Sequence, residues 1–545
     1  MNRRSRRSSR PAPPSADPLQ HDTAAPADTT PSTLRWDSLP AEIRLMILKQ
    51  MLLMDVPRRR FAAGSEMWRY QRTRGKRAWP SVCAEWRDFF ERDNFSSLRL
   101  TSAQAIDRCR KYVTRNRTQF VRRIHLQLEL RTYGDGNREE AKHEADWNNR
   151  IFTDHLARLL GALSAWQTTG LTLEIGAASP SDELRLPYPV YPAFPAHTAP
   201  IPYLLFPSAA AAKRVLGNLL SLDPGGGGDD DPGRTRIPGR AAGVAEDDDT
   251  VPELPEVRAV TRLVVSRRYH RSFSEQAVGR ILGSLPRLEQ VSYEPWQGLD
   301  DAGQDERDRA NEALLRGLPA STRRLALWEA SRGEPAWRFG KRDSARLADA
   351  AVEASRRLAF FSACFAVDAR HFFRGYYYDD DDDDDGAGRP SWPELTSLAL
   401  TARDLTEAPG EEADGLLRAA GRAAERMPEL RVLELWSGRA LRGFLFRYEA
   451  VGGRTMPRVT VEATWGYRLS EPVLAAWRRA ARALTGEDLE VEVRRVAEDK
   501  VVRDLIRQSG GGGGGGGSLN GELCGLPCMF DLLRLKDDVR VKIPY

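Results

Sequence analysis

Cysteine is scarce, with five in 545 residues. So few cannot build the dense disulfide framework that holds small secreted domains together, and all five are expected to be reduced thiols. Cys524 and Cys528 stand close together, yet no second Cys or His pair completes a tetrahedral zinc set. Long apolar runs are missing too. Nothing approaches the roughly 18 uncharged residues that a membrane-crossing helix needs, so no membrane partner is expected. The first ten residues carry five arginines and no apolar stretch of the kind a secretory leader requires. The expected location is therefore the cytoplasm, the nucleus or both. An excess of one charge is also absent. The 82 basic residues face 77 acidic ones, and a net charge of +5 gives no global argument for nucleic acid.

Catalytic patterns are equally thin. Seven histidines are scattered, with His125 in an alternating stretch and His143 and His155 in helical ones. No Gly-x-Ser-x-Gly elbow precedes a helix, and no Gly-x-Gly-x-x-Gly follows a strand. The run Gly510–Gly517 lacks both the Lys-Ser/Thr of a phosphate loop and an apolar strand leading into it. Asp379–Asp385 can attract cations but fixes no coordination geometry. Cys109 and Cys364 have helix- or core-like neighbours, where the thiol is usually inert filler. The chain is expected to bind rather than to catalyse, with no cofactor and no metal.

What is present begins at Leu39. Pro40 suits the first turn of a helix, because its φ is already helical and its missing N–H costs nothing there. Glu42 follows where a negative charge favours the helix dipole. Ile43, Leu45, Met46, Ile47, Leu48, Met51, Leu52, Leu53 and Met54 then crowd one window, broken only by Arg44, Lys49 and Gln50. An ordinary surface helix has a single apolar stripe. This one is apolar nearly all round and must be covered on two sides. Further on, Val82, Cys83, Trp86, Phe89 and Phe90 recur at helical spacing on one wide face.

Leu39-Pro40-x-Glu42-Ile43, then Ile47 and Leu48, then Val82-Cys83-x-x-Trp86 resembles the F-box. The resemblance covers residues 34–100 and continues through Leu98 and Leu100 as in many fungal F-box proteins. It implies that Leu39, Pro40, Glu42, Ile43, Ile47, Leu48, Val82, Cys83 and Trp86 bind a Skp-type adaptor. It also implies that the chain recruits a protein substrate to a cullin–RING ubiquitin ligase. Neither a RING finger nor a HECT-type cysteine is visible, so the chain itself would do no ubiquitin chemistry. One departure is the long basic stretch Arg58–Arg77, which stands between the two parts of the motif. It reads as a solvated insertion or a partner for an acidic adaptor surface. Two alternatives stay open: a scaffold acting outside any ligase, and a nucleic-acid-associated repeat protein using residues 58–77. A helical hairpin buried in its own domain is the plainer reading of the same helices.

Beyond residue 100 the pattern changes. Ile124, Leu126, Leu128 and Leu130 alternate as a strand does, a helix follows over Trp147–Trp166, and Leu171, Leu173 and Ile175 alternate again. From Val260 on, an apolar-x-x-apolar-x-apolar shape recurs, centred on Leu263, Val291, Leu398 and Leu433, with shorter matches at Leu325, Leu358 and Val459. Helical stretches fit between them at Ser274–Leu285, Asp308–Leu315 and Glu411–Arg426. The interval of roughly thirty residues resembles a long, irregular leucine-rich repeat, in which stacked neighbours cover an apolar face that one unit cannot. An ordinary α/β sandwich with a mixed sheet is the alternative.

The expected fold class is therefore α/β: an all-α F-box module followed by an irregular leucine-rich-repeat-like strand/helix array with disordered insertions. The expected divisions are a disordered tail at 1–33, the F-box module at 34–100, the array at 101–508, a glycine linker at 509–518 and a tail at 519–545. Loops near 223–250 and 377–390 are expected to interrupt the array. Aligning the strands on their last apolar residue sends Trp328, Phe361 and Trp436 to a solvent face. Those rings are the expected substrate-binding residues, since exposed aromatic clusters mark partner sites.

Overall fold

The computed structural model describes residues 35–54, 79–133, 138–181, 219–222, 253–266, 269, 271–298, 301–329, 345–377, 389–407, 410–439, 442–450 and 456–495. The basic segment 58–77, the acidic and glycine-rich runs, Cys524 and Cys528 and both chain ends lie outside these residues. The chain divides into two compact units, Met1–Phe89 and Phe90–Tyr545.

In the first unit, Pro40 precedes helix α1 (Ala41–Met54), and a second helix, α2 (Ala84–Ser96), begins after Cys83 and runs past the division. The Pro40 carbonyl accepts from the Ile43 and Arg44 amides, both at 3.1 Å, so the proline starts the helix as its φ favours. An all-α N-terminal part is thus visible.

The second unit is mixed α/β, built on one sheet whose twelve described strands lie side by side in chain order. They are β1 (Ser97–Leu100), β2 (Arg123–Glu129), β3 (Leu171–Ala178), β4 (Val260–Val265), β5 (Gln290–Tyr293), β6 (Arg324–Trp328), β7 (Phe360–Asp368), β8 (Ser397–Thr401), β9 (Val432–Arg439), β10 (Arg442–Glu449), β11 (Arg458–Ala463) and β12 (Glu490–Arg495). Pairing is parallel from β1 to β9, antiparallel for β9–β10 and β10–β11, and parallel again for β11–β12. Parallel neighbours need a crossover, and helices supply most of them. These are α3 (Ala103–Tyr112), α4 (Arg138–Leu163), α5 (Glu275–Gly283), α6 (Asp301–Arg316), α7 (Ala345–Ser355), α8 (Glu411–Ala424) and α9 (Glu471–Thr485).

Local chemistry fixes where these helices start and stop. Ser102 and Ser274 cap α3 and α5 by accepting the amides of Ala105 and Ala277. Gly486 ends α9 at φ 75°, a conformation that suits glycine. Strand alternation then makes the core. Val291, Leu325, Phe361, Leu398 and Leu433 occupy one ladder row and pack with Ile281, Leu314, Leu347 and Leu416 of the helices in a continuous buried cluster. Side chains also tie neighbouring units together. Thr322 donates to the Leu288 carbonyl at 2.8 Å, and Thr396 to the Ala359 carbonyl at 2.7 Å. Buried indoles find acceptors: Trp392 donates to Ser355 Oγ at 2.8 Å, and Trp477 to the Leu417 carbonyl at 2.9 Å.

Candidate docking site

The first unit is organised around one carboxylate. Trp36–Ser38 makes a single 3-10 turn, which Leu39 leaves in extended conformation. Trp36 Nε1 donates to Glu85 Oε2 at 2.9 Å, and Arg44 Nε donates to Glu85 Oε1 at 3.0 Å. Arg44 Nη1 also donates to the Leu39 carbonyl at 3.1 Å. Both oxygens of Glu85, in the first turn of α2, therefore hold the turn before α1 and α1 itself. The Trp36 and Trp86 rings meet edge to face at 5.4 Å. The Trp36 indole holds the Glu85 carboxyl below its ordinary range, with burial opposing and Arg44 adding to the effect.

This bracing leaves α1 with two unlike sides. Leu48 is fully buried, and Met51 and Leu52 are half-buried. Ile43, Met46 and Ile47, which share a face at i, i+3 and i+4, are 41, 63 and 36% exposed. Leu45 is exposed as well, and Val82, just before α2, is 60% exposed. Leu39, Cys83 and Trp86 are half-buried, while Pro40 and Glu42 are exposed. Of the expected adaptor set, Leu48 is thus an internal support rather than part of an accessible surface. Trp36, Arg44 and Glu85, which shape the site, were missed by the motif. A Trp and an acid flanking an apolar helical pair carry no pattern of their own.

In the second unit the expected aromatic surface is corrected. Trp328, Phe361 and Trp436 are 6, 0 and 0% exposed, so none lies on a solvent face. Trp328 and Trp436 do point away from the helix-packed core, as the alternation required. They are buried because they close on each other, with ring centroids at 5.7 Å, and on Phe365, at 4.9 and 5.1 Å. Phe361 belongs to the opposite face, packed on Phe372 with ring centroids at 5.9 Å. The reason is register. Ala363, not Phe360, pairs with Leu327 and Leu400, and a shift of three residues inverts the face.

Phe365 reaches the two indoles through an irregularity in β7. The ladder to β8 runs from Ala363–Leu400 directly to Asp368–Thr401. The extra residues bulge, Phe365 takes φ +60°, and its amide donates to Thr401 Oγ1 at 2.7 Å. A phenylalanine at positive φ is strained, and its seat between two indoles compensates.

Polar groups on the sheet are also tied down. Tyr269 Oη lies 2.7 Å from His125 Nε2, with Glu174 Oε1 at 3.9 Å from the same nitrogen. Gly176 makes room for that tyrosine, since a Cβ there would stand 2.1 Å from the ring. Arg447 donates to Glu434 at 2.7 Å and also pairs with Glu449. Glu329, buried after β6, accepts from Gln304 Nε2 at 2.8 Å, and burial pushes its carboxyl up to about 8. Burial likewise pushes the Cys109 thiol up to about 11 and that of Cys364 up to about 12, where neither is a nucleophile at neutral pH. Among the described residues, no group of His, Cys, Asp and Glu is arranged to hold a metal ion, and no helix is long and apolar enough to cross a membrane.

Residues 317–510 match a family described only as a family of unknown function (DUF6546). The match lies in the second unit and leaves residues 34–100 outside it. No curated protein matches the chain.

Proposed function

We propose that this chain is the substrate-recruiting F-box subunit of a cullin–RING ubiquitin ligase. It binds a Skp-type adaptor through α1 and the start of α2. The observation that carries this reading is the exposure of Ile43, Met46, Ile47 and Val82 around a braced helical pair. Large apolar side chains left in water on one helical face are what a partner covers, and each contributes roughly 1.5–3 kcal/mol when fully buried. Leu39, Pro40 and Trp86 frame that face, Glu42 and Cys83 accompany it, and Leu48 is buried.

The second unit is read as an irregular leucine-rich-repeat-like array that recruits the protein substrate. Twelve strands lying in chain order, parallel through β9, support that reading, because each unit then covers its neighbour's apolar face. The mechanism is proximity. A substrate held by one unit meets the charged ubiquitin-conjugating enzyme held through the other at high effective concentration, without chemistry from this chain.

Binding of the full chain to a purified Skp-type adaptor tests the reading. Leu39→Ala with Pro40→Ala is expected to abolish capture while leaving the second unit folded. Unchanged capture by that double variant would remove the F-box assignment. Co-purification of a cullin separates a ligase subunit from a scaffold that uses the adaptor alone.

A further inference from the structure

On the sheet face turned away from the helices, one ladder row reads Arg123, Thr172, Arg262, Gln290 and Arg324 across β2 to β6. Their neighbours Ile124, Leu173, Leu263, Val291 and Leu325 face the helices and are buried. All of the row but Thr172 is half-buried, so it forms an accessible strip. The arginines stand on every second strand. With strands about 4.8 Å apart, successive arginines are rooted about 10 Å from one another. Among the described residues, Arg123 and Arg262 have no hydrogen-bonded or ion-paired carboxylate. Glu289 acts on Arg262 from the edge of β5 but is outweighed. Burial, then Arg123 and Arg324, draws the Arg262 guanidinium below its ordinary value. Arg324 is held over the Phe360 ring at 5.4 Å.

Arg123 and Arg262, half-buried and mutually repelling, call for an anion of matching spacing. We infer that this row docks an acidic segment of a partner protein, laid extended across the strands with a carboxylate at every third residue. An extended polyproline-type chain advances about 3.1 Å per residue, so every third side chain recurs at about 9 Å, close to the arginine spacing. A nucleic-acid strand is the poorer fit. Unspecific strand binding relies on open aromatic faces for base stacking, and Arg324 already covers Phe360. The row lies wholly in the second unit, and its function is independent of adaptor docking.

The test uses the purified full chain and three fluorescent probes at low salt: a peptide of three Asp-Pro-Ala repeats, its Asn-Pro-Ala counterpart, and a single-stranded RNA oligonucleotide. Anisotropy is expected to show the aspartate peptide binding and the asparagine peptide at least about tenfold weaker. Arg262→Gln and Arg123→Gln are each expected to weaken the aspartate peptide about tenfold at an unchanged thermal midpoint, with Arg110→Gln on α3 without effect. Arg262→Glu is expected to prefer a peptide whose central aspartate is replaced by lysine, a reversal that misfolding cannot produce. Equal binding of both peptides, RNA binding without peptide binding, or no preference for the lysine peptide would overturn the inference.

Discussion

Trp328 on β6 and Trp436 on β9 bring their ring centroids to 5.7 Å, although two whole strands lie between them. Three strand spacings amount to about 14 Å, so both indoles must lean inward over the sheet. Phe365 fills the space beneath, in edge contact with both rings. The sheet therefore carries a second apolar core on the face away from its helices, and these aromatics support the fold instead of offering a surface.

Truncation of that core should be costly. Trp436→Ala is expected to destabilise the second unit by about 3–5 kcal/mol, as large-to-small changes of buried aromatics do. Phe365→Ala is expected to cost somewhat less, because it leaves a smaller void. Urea denaturation followed by circular dichroism measures both. Midpoints within about 0.5 kcal/mol of wild type, as ordinary surface substitutions give, would return these rings to the surface.

Glu329 should make stability depend on pH. Its carboxyl is raised from 4.5 to about 8, chiefly by burial and then by Asp308, with Gln304 and Arg307 opposing. The folded state therefore holds its proton where the unfolded state has lost it. The resulting contribution is complete below about pH 4.5 and disappears as pH rises through about 8. Glu329→Gln keeps the shape without the proton. Its stability relative to wild type is expected to grow between pH 5 and pH 8 in chemical denaturation. A difference that stays flat over that range would mean that the buried carboxyl does not titrate there.

Gly176 and Tyr269 should be coupled. A methyl at position 176 meets the tyrosine ring at 2.1 Å, so Gly176→Ala must displace the ring and break its bond to His125. The same substitution is expected to be much milder in a Tyr269→Ala background, with a coupling energy above about 1 kcal/mol in a double-mutant cycle. Additive effects would show that the ring does not sit over the glycine.

Much of the array was legible because burial imposes a period. Ile124, Leu126 and Leu128 alternate and lie in β2, and the apolar face of Glu411–Ala424 reads as the helix it is. What failed was register. Leu358-x-Phe360 imitates the Leu325-x-Leu327 tail, yet β7 starts at Phe360, and the slip sent Phe361 to the wrong face. β10 was missed because it turns back on β9, outside the repeat, although Phe444, Phe446 and Tyr448 alternate into the core. Near the proposed docking face, the apolar run of α1 was plain. The grip of Glu85 on Trp36 and Arg44 was not, since a contact between residues 49 apart leaves no local trace.

That grip is expected to matter for docking. Glu85→Ala releases both Trp36 and Arg44 and should weaken adaptor capture while the denaturation midpoint of the second unit stays where it was. Full-strength capture by this variant would show that the helical pair is held by its apolar contacts alone.

The most direct measurement is calorimetric titration of a purified Skp-type adaptor into the full chain, with Ile43→Asp plus Ile47→Asp as the variant. Wild type is expected to bind with a negative heat-capacity change, the mark of apolar burial, and the variant to give no heat of binding with its second unit intact. Absence of binding by the wild-type chain, or equal binding by the variant, would contradict the assignment of α1 as an adaptor-docking helix.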